Sequence, residues 1–290
     1  MYRGWYYFLV SITVKKADGS TEYFKVEKLR RSLRRAGATP AELVVIIAAI
    51  EKRLYDGITT QAIYRLAFEL LRHTEQKAAT RYSLRRALFG LGPTGFPFER
   101  YLGRLFEAEG YTTKTGILVS GHCAEHEIDV AAYKTDHSFV AEAKFHARPG
   151  IKTDLQVAMY SYARLLDLRD ATICSDDICG IKEFWLITNT KFTTAAEKYA
   201  TCVGLTILSW DYPRKNNLHD RIQRLGVYPI TVLASLTTSQ VATLFEHDCI
   251  LCSDIVAKPH ILRHLHAPST KIEAILNEAK SIENGEVINR

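Results

Sequence analysis

Apolar positions along this chain change period several times, and each change marks an element. "ITVKKADGSTEYFKV" places an Asp-Gly pair between two β-like runs and reads as strand, tight turn, strand. The period then lengthens and predicts helices at about 27–36, 40–54, 60–73 and 75–89, until the glycines and prolines of "GLGPTGFPF" (90–98) break it. In "FERYLGRLFEAEGY" the apolar Phe98, Leu102, Leu105 and Phe106 recur at helical spacing, and strand-like runs follow at 112–119, 126–133 and 138–145. A helix over 152–168, a strand in "EFWLITNT" (183–190), a helix over 193–204 and a strand at 205–210 complete the segment. From about 228 the pattern predicts short helices separated by turns, ending in a frayed "SIENGEVINR". The expected fold is multidomain α/β: a β-hairpin plus helical bundle (1–90), a central mixed sheet flanked by helices (91–227), and a small helical module with a tail (228–290).

Within this pattern "EHEIDVAAYKTDHSFVAEAKFH" (125–146) puts charges where strand periodicity would place core side chains. Alternation sets Glu127 and Asp129 on one face of the first run, and Val140, Glu142 and Lys144 on one face of the next. If the runs pair, two hard oxygen ligands and one ammonium converge, a set that suits Mg²⁺ and phosphodiester hydrolysis. Taken alone, the Glu-Ala-Lys tripeptide reads as two exposed strands whose charges face solvent or pair with each other, and its context of Asp129, Glu99 and Gln156 is what shifts the reading.

Composition narrows the classes. With 290 residues, 47% hydrophobic and 24% charged, the chain is globular rather than disordered. The longest apolar stretches, "LVVIIAAI" (43–50) and "WYYFLVSITV" (5–14), fall short of the roughly 20 residues that span a bilayer. The N-terminal run lacks a small-residue cleavage site and leads into the hairpin, so no export signal is read, and no membrane partner is expected. Six scattered cysteines then fit reduced thiols and a cytoplasmic location. Residues 25–104 carry 16 Lys and Arg against 7 Asp and Glu, concentrated in "KLRRSLRR" (28–35) and "RYSLRR" (81–86). Such clusters suit polyanions, and suit a solvated helix face as well.

On "FERYLGRLFEAEGY", "HEIDV", "EAKFH" and "DLQVAMYSYARLL", residues 96–210 resemble the Mrr-type restriction endonuclease branch of the PD-(D/E)XK nuclease superfamily. The resemblance implies Asp129 and Glu142 as metal ligands, Lys144 as the catalytic lysine, Glu99 as the helix-borne acid and Gln156 as the polar residue of the following helix. His126, Asp154 and Tyr160 also stand in motif segments. The implied activity is Mg²⁺- or Mn²⁺-dependent cleavage of DNA, in restriction or defence.

Residues 12 to about 90 resemble the ATP-cone on "VKKADGSTEYF", "EKLRRSL" and "YDGITTQAI". That resemblance implies ATP or dATP as effector and places Val14, Lys15, Lys16, Glu22, Lys28 and Thr60 on nucleotide-binding positions. Alignment on Asp18 and Gly19 puts Ala17 where the family often has arginine, with Lys15 nearby to compensate. Residues 230–265 weakly resemble a helix-hairpin-helix-like module, and a packed helical cap fits them equally. The spacing of Cys249, Cys252, His260 and His264 is shorter than a zinc finger's and reads as packing. The competing class is a non-catalytic, nucleotide-responsive DNA-binding regulator or scaffold on a degenerate nuclease fold. A homo-oligomer suits a nuclease whose single site cuts one strand.

Overall fold

The structure, a computed structural model, describes residues 12–74, 76–171, 173 and 180–284, with side chains except those of residues 72–81. The apolar run up to residue 11, Cys174, Cys179, the Arg81 side chain and the tail beyond Asn284 lie outside the described residues. The chain divides into two compact units, one running to Arg85 and taking in Arg148–Gly150, the other comprising Arg86–Ala147 and Ile151–Arg290. Among the described residues, no helix is long and apolar enough to cross a membrane.

In the first unit, β1 (Thr13–Lys15) and β2 (Thr21–Tyr23) form the expected hairpin. Gly19, at φ +84°, takes the left-handed turn position, and the Asp18 carboxylate accepts from the Ser20 amide at 2.9 Å. Helices α1 (Val26–Arg35) and α2 (Pro40–Glu51) follow, the second opened by Thr39 and Glu42 in a reciprocal capping box. A short β3 (Ile58–Thr59) returns parallel to β1, and α3 (Thr60–Thr74) and α4 (Gln76–Phe89) continue the chain. Val14, Leu29, Leu33, Ile46, Ile50, Ile58 and Leu71 make one apolar core. The arginines of "KLRRSLRR" project outward because Leu29 and Leu33, one turn apart, are the positions that face it.

The second unit is built on a five-stranded mixed sheet in the order β10-β8-β6-β5-β4. Strands β4 (Thr112–Ser120), β5 (Glu125–Lys134) and β6 (His137–Lys144) run antiparallel, while β8 (Glu183–Thr188) and β10 (Thr206–Leu208) add parallel to β6. One face packs on α5 (Phe96–Ala108), where the Phe106 ring meets Phe139 edge-on at 4.8 Å and Phe139 stacks on Trp185 at 4.6 Å. The other face is covered by α6 (Leu155–Leu168) and α7 (Thr194–Val203), with Val140, Ala158, Leu186, Ala196 and Ala200 interleaved. The helix expected from 152 starts at Leu155 instead. Lys152–Thr153 (β7) is extended and pairs with Lys191–Phe192 (β9), and Asp154 caps α6 by accepting from the Val157 amide at 3.2 Å.

The remaining helices, α8 (Leu218–Leu225), α9 (Thr238–Glu246), α10 (Cys252–Ala257) and α11 (Ser269–Glu283), belong to the same unit. Helix α11 is ordered through Glu283, so the first residues of "SIENGEVINR" are helical rather than frayed. Three neighbours on α5 hold this C-terminal region: Arg100 donates to the Phe245 carbonyl at 3.0 Å, the Tyr101 hydroxyl to the Val227 carbonyl at 2.9 Å, and Arg104 to the Asp254 carboxylate at 2.7 Å. Cys249 and Cys252 are fully buried, and the Cys252 thiol faces the Pro229 carbonyl at 3.7 Å, so both serve packing. Tyr101→Phe leaves the buried Val227 carbonyl without its donor and is expected to cost about 1–2 kcal/mol, read as a lower urea midpoint at unchanged slope.

Candidate active site

The second unit's sheet comes apart at the charged stretch. β5 and β6 pair from Lys134 opposite His137 up to Val130 opposite Ala141, and the next positions in that register are Asp129 and Glu142. Beyond that point β6 continues only with β8, through Glu142 opposite Leu186 and Lys144 opposite Thr188, and β5 continues only with β4. Separation leaves buried ladder groups that need partners, and side chains supply them. The Ala143 amide donates to the Asp129 carboxylate at 2.6 Å, and the Glu127 carbonyl accepts from Arg164 of α6.

Strict alternation also fails here. Ile128 and Ala131, an odd number of residues apart, join the same apolar cluster against α6 and α7. On β4, Gly116 stands opposite Asp129 in register and takes φ +62°, a left-handed backbone that bends the strand at the same level. The expectation that Glu127 and Asp129 share a flat face is therefore replaced by a bend centred on Asp129.

Four carboxylates sense one another at this bend. Burial, then the neighbouring Glu142, push Asp129 up to about 6, partly offset by the Ala143 amide and Arg164. Glu99 rises to about 7, through burial first and then through Asp129, Glu127 and Glu142. Arg164, whose side chain is 8% exposed, pairs with the Glu142 carboxylate. Negative charge exceeds positive in a partly desolvated volume, so protonation is favoured unless a cation intervenes. Among the described residues, no group of three or more His, Cys, Asp or Glu is arranged to hold a metal ion. Asp129 and Glu142 come next in register after Val130 and Ala141 and feel each other's charge, and two carboxylates would leave most of any cation's coordination to water or backbone oxygens.

Glu99 reaches the site because aromatic packing brings its helix there. Phe98, just before it, meets the ring of Phe145, just after Lys144, at 5.7 Å. Phe145 in turn fills the space a side chain at Gly92 would need, since a Cβ there would lie 2.7 Å from its ring. Lys144 is exposed at the end of β6. Gln156 is exposed in the first turn of α6 and lines an open depression of about 650 Å³ with Asp154, Leu155, Met159 and Tyr160, without a hydrogen bond to the carboxylates among the described residues.

Of the other motif residues, Asp154 is the α6 cap, and Tyr160 lies over the Arg164 guanidinium at 5.7 Å. His126 bonds Asp167 at 2.7 Å, and Asp167, which also accepts from the Cys123 and Ala124 amides, is held down at about 2. That arrangement clamps a loop. Arg164 escaped sequence reasoning. The available signal was an arginine on the α6 stripe shared with Ser161 and Leu168, a position that demands an acidic partner.

In the first unit, Glu22 pairs with Lys28 at 2.7 Å and with Lys16 at 3.1 Å, so three of the nucleotide candidates form one surface ion cluster. Lys15 stands opposite Thr59 in register, and Thr60 begins α3 beside it. Val14 is 4% exposed and packs in the apolar core of this unit.

Two families match this chain, the ATP cone domain at residues 12–88 and AF1548-like, C-terminal, at residues 228–283. The first unit is thus an ATP cone domain, with the nucleotide-binding character of that family. A protein of Archaeoglobus fulgidus described only as uncharacterized is 36% identical over 182 residues, which is 62% of this chain and 99% of the relative. Identity at that level over nearly the whole relative makes this chain a member of the AF1548-like family. The crystal structure of AF1548, a protein described as of unknown function, aligns with a TM-score of 0.55 and 34% identity over 66% of this chain and 100% of that one.

The raised carboxylates have a consequence for stability. Folded Asp129 and Glu99 hold protons that the unfolded chain releases near pH 4, so stability falls as pH rises from about 4 through 7. Asp129→Asn keeps an acceptor for the Ala143 amide and removes the charge. It is expected to stabilise the chain by about 1–3 kcal/mol at pH 8 and by little at pH 4, read from denaturation midpoints at the two pH values.

Proposed function

We propose that the second unit is a divalent-cation-dependent nuclease that hydrolyses phosphodiester bonds in DNA, and that the ATP cone makes it responsive to ATP or dATP. The observation that carries this reading is the position of Asp129 and Glu142 where the pairing of β5 and β6 ends, each within reach of the other's charge, with Lys144 two residues further along β6. The donor set fits Mg²⁺ or Mn²⁺, because two hard carboxylates in a region of excess negative charge favour a cation that keeps much of its water. Such an ion, when bound, acidifies a coordinated water and offsets charge on a phosphoryl oxygen.

The chain's own residues divide the remaining work. Asp129 and Glu142 would hold the ion. Lys144 offers an exposed ammonium to the phosphate and to the attacking water. Glu99, poised at about 7, can take up or release a proton close to neutrality. Gln156 offers an amide at the rim. The outward arginines of α1 supply phosphate affinity without base readout. A pair of such chains would cut both strands of a duplex. The nucleotide acts as a regulator if it binds two states of the chain unequally.

Plasmid nicking and linearisation in Mg²⁺ or Mn²⁺ tests the reading. Wild type is expected to cleave, and Asp129→Asn and Lys144→Ala to lose about 100-fold or more in rate. If wild type and Asp129→Asn bind methylated and unmethylated DNA equally and neither cleaves, the non-catalytic regulator replaces the nuclease. Lys16→Ala is expected to weaken dATP binding about 10-fold in calorimetry while leaving the fold unchanged, since it removes a charge-assisted partner from the surface cluster.

A further inference from the structure

Helix α1 of the first unit carries five cations and one acid in its 10 residues: Lys28, Arg30, Arg31, Arg34 and Arg35 against Glu27. Its apolar side is already used, since Leu29 and Leu33 sit in the core of that unit and Val26 packs against it. At 3.6 residues per turn the opposite side is centred on Arg31, with Lys28 and Arg35 on one flank and Arg34 on the other. Arg30 leans towards Glu27 at 3.7 Å, and Lys28 bonds Glu22 at 2.7 Å. Arg31, Arg34 and Arg35 are exposed and pair with no acidic group among the described residues.

Charge complementarity selects the partner of this face. A helix that lies on a membrane inserts its apolar side among the headgroups, and α1 has that side turned inward. Protein interfaces are built around an apolar or aromatic centre, and the outward positions Glu27, Lys28, Arg31, Ser32, Arg34 and Arg35 offer none. A nucleic-acid backbone asks only for cations on an open surface, and the planar guanidinium matches its phosphates with paired hydrogen bonds.

The flank of this face reaches the cone's ion cluster. Lys28 shares Glu22 with Lys16, which approaches the same carboxylate at 3.1 Å, so the cationic stripe begins among the residues assigned to the nucleotide. Side chains three apart on a helix lie about 5–6 Å from one another, inside the roughly 8 Å over which charge is felt at physiological salt. A triphosphate drawn to Lys16 and Lys28 therefore repels a backbone phosphate seated at Arg31. We infer that the arginine face of α1 is a docking surface for a nucleic-acid backbone, and that a nucleotide held at the adjoining lysines competes with it. The coupling needs no second conformation of the chain. It rests on the nucleotide-binding reading of the cone, whereas the docking surface does not.

The experiment is fluorescence anisotropy of a labelled phosphorothioate DNA duplex, which keeps the backbone charge and resists hydrolysis, with the full-length protein over a range of salt concentrations. Arg31→Ala with Arg35→Ala is expected to weaken binding about 10-fold at fixed salt and to lower the slope of log affinity against log salt by about 2. Arg31→Lys with Arg35→Lys should keep the slope. Both arginines are exposed, so an unchanged denaturation midpoint excludes unfolding as the cause. An alanine pair that binds DNA as wild type does would overturn the docking surface. So would displacement of the duplex by polyglutamate or phosphatidylserine vesicles, at equal charge, as readily as by unlabelled duplex. With dATP at a concentration that calorimetry shows to be saturating, wild-type affinity for the duplex is expected to fall about 10-fold, and the duplex should weaken dATP by the same factor. Bound dATP that leaves DNA affinity unchanged would overturn the competition while leaving the cone's nucleotide binding standing. No bound dATP would remove both.

Discussion

Everything at the candidate site follows from the parting of β5 and β6 between Val130 and Asp129. A sheet that stayed paired would bury these carboxylates against apolar neighbours or turn them flat to solvent. Parting instead opens a gap, and the gap is tolerable only because its backbone groups are answered, the Ala143 amide by Asp129 and the Glu127 carbonyl by Arg164. The side chains that make the site acidic and cationic are thus the ones that complete the sheet's hydrogen bonding. Structure and candidate chemistry rest on the same contacts, which explains why two half-buried carboxylates persist at a cost in stability.

Much of this was legible beforehand. Period-two alternation over 125–146 put Asp129 on one strand-like run and Glu142 and Lys144 on the next, to converge if the runs paired, and the runs do pair, antiparallel, from Lys134 opposite His137 to Val130 opposite Ala141. Helix spacing from Phe98 to Phe106 marked the positions that α5 buries, Phe98, Leu102, Leu105 and Phe106. The bend was not legible, since Gly116 in a strand signals a bulge or kink without saying which residue on the neighbour benefits. Arg164 was missed for a different reason. Its partners, Glu142 and Glu127, lie on other elements, and only the tertiary arrangement shows that an arginine on an apolar stripe has an anion to meet.

The ATP cone teaches a related lesson about surface charge. Lys16 and Lys28, which the resemblance places on nucleotide-binding positions, already share Glu22. A nucleotide's phosphates must compete with that carboxylate, so the ammonium groups are kept oriented but not idle. Exposed pairs of this kind contribute little to folding, which leaves them free to exchange partners. Val14, by contrast, supports the hairpin from inside.

Helix α5 carries two loads on adjacent residues. Glu99 faces the carboxylates of the sheet, and Arg100, Tyr101 and Arg104 grip the C-terminal region through Phe245, Val227 and Asp254. The AF1548-like C-terminal segment is therefore less an appendage than the outer half of a vice whose inner half is the sheet. The helix that presents Glu99 to the sheet is thereby also the peg on which that segment hangs, and both draw on a single anchor.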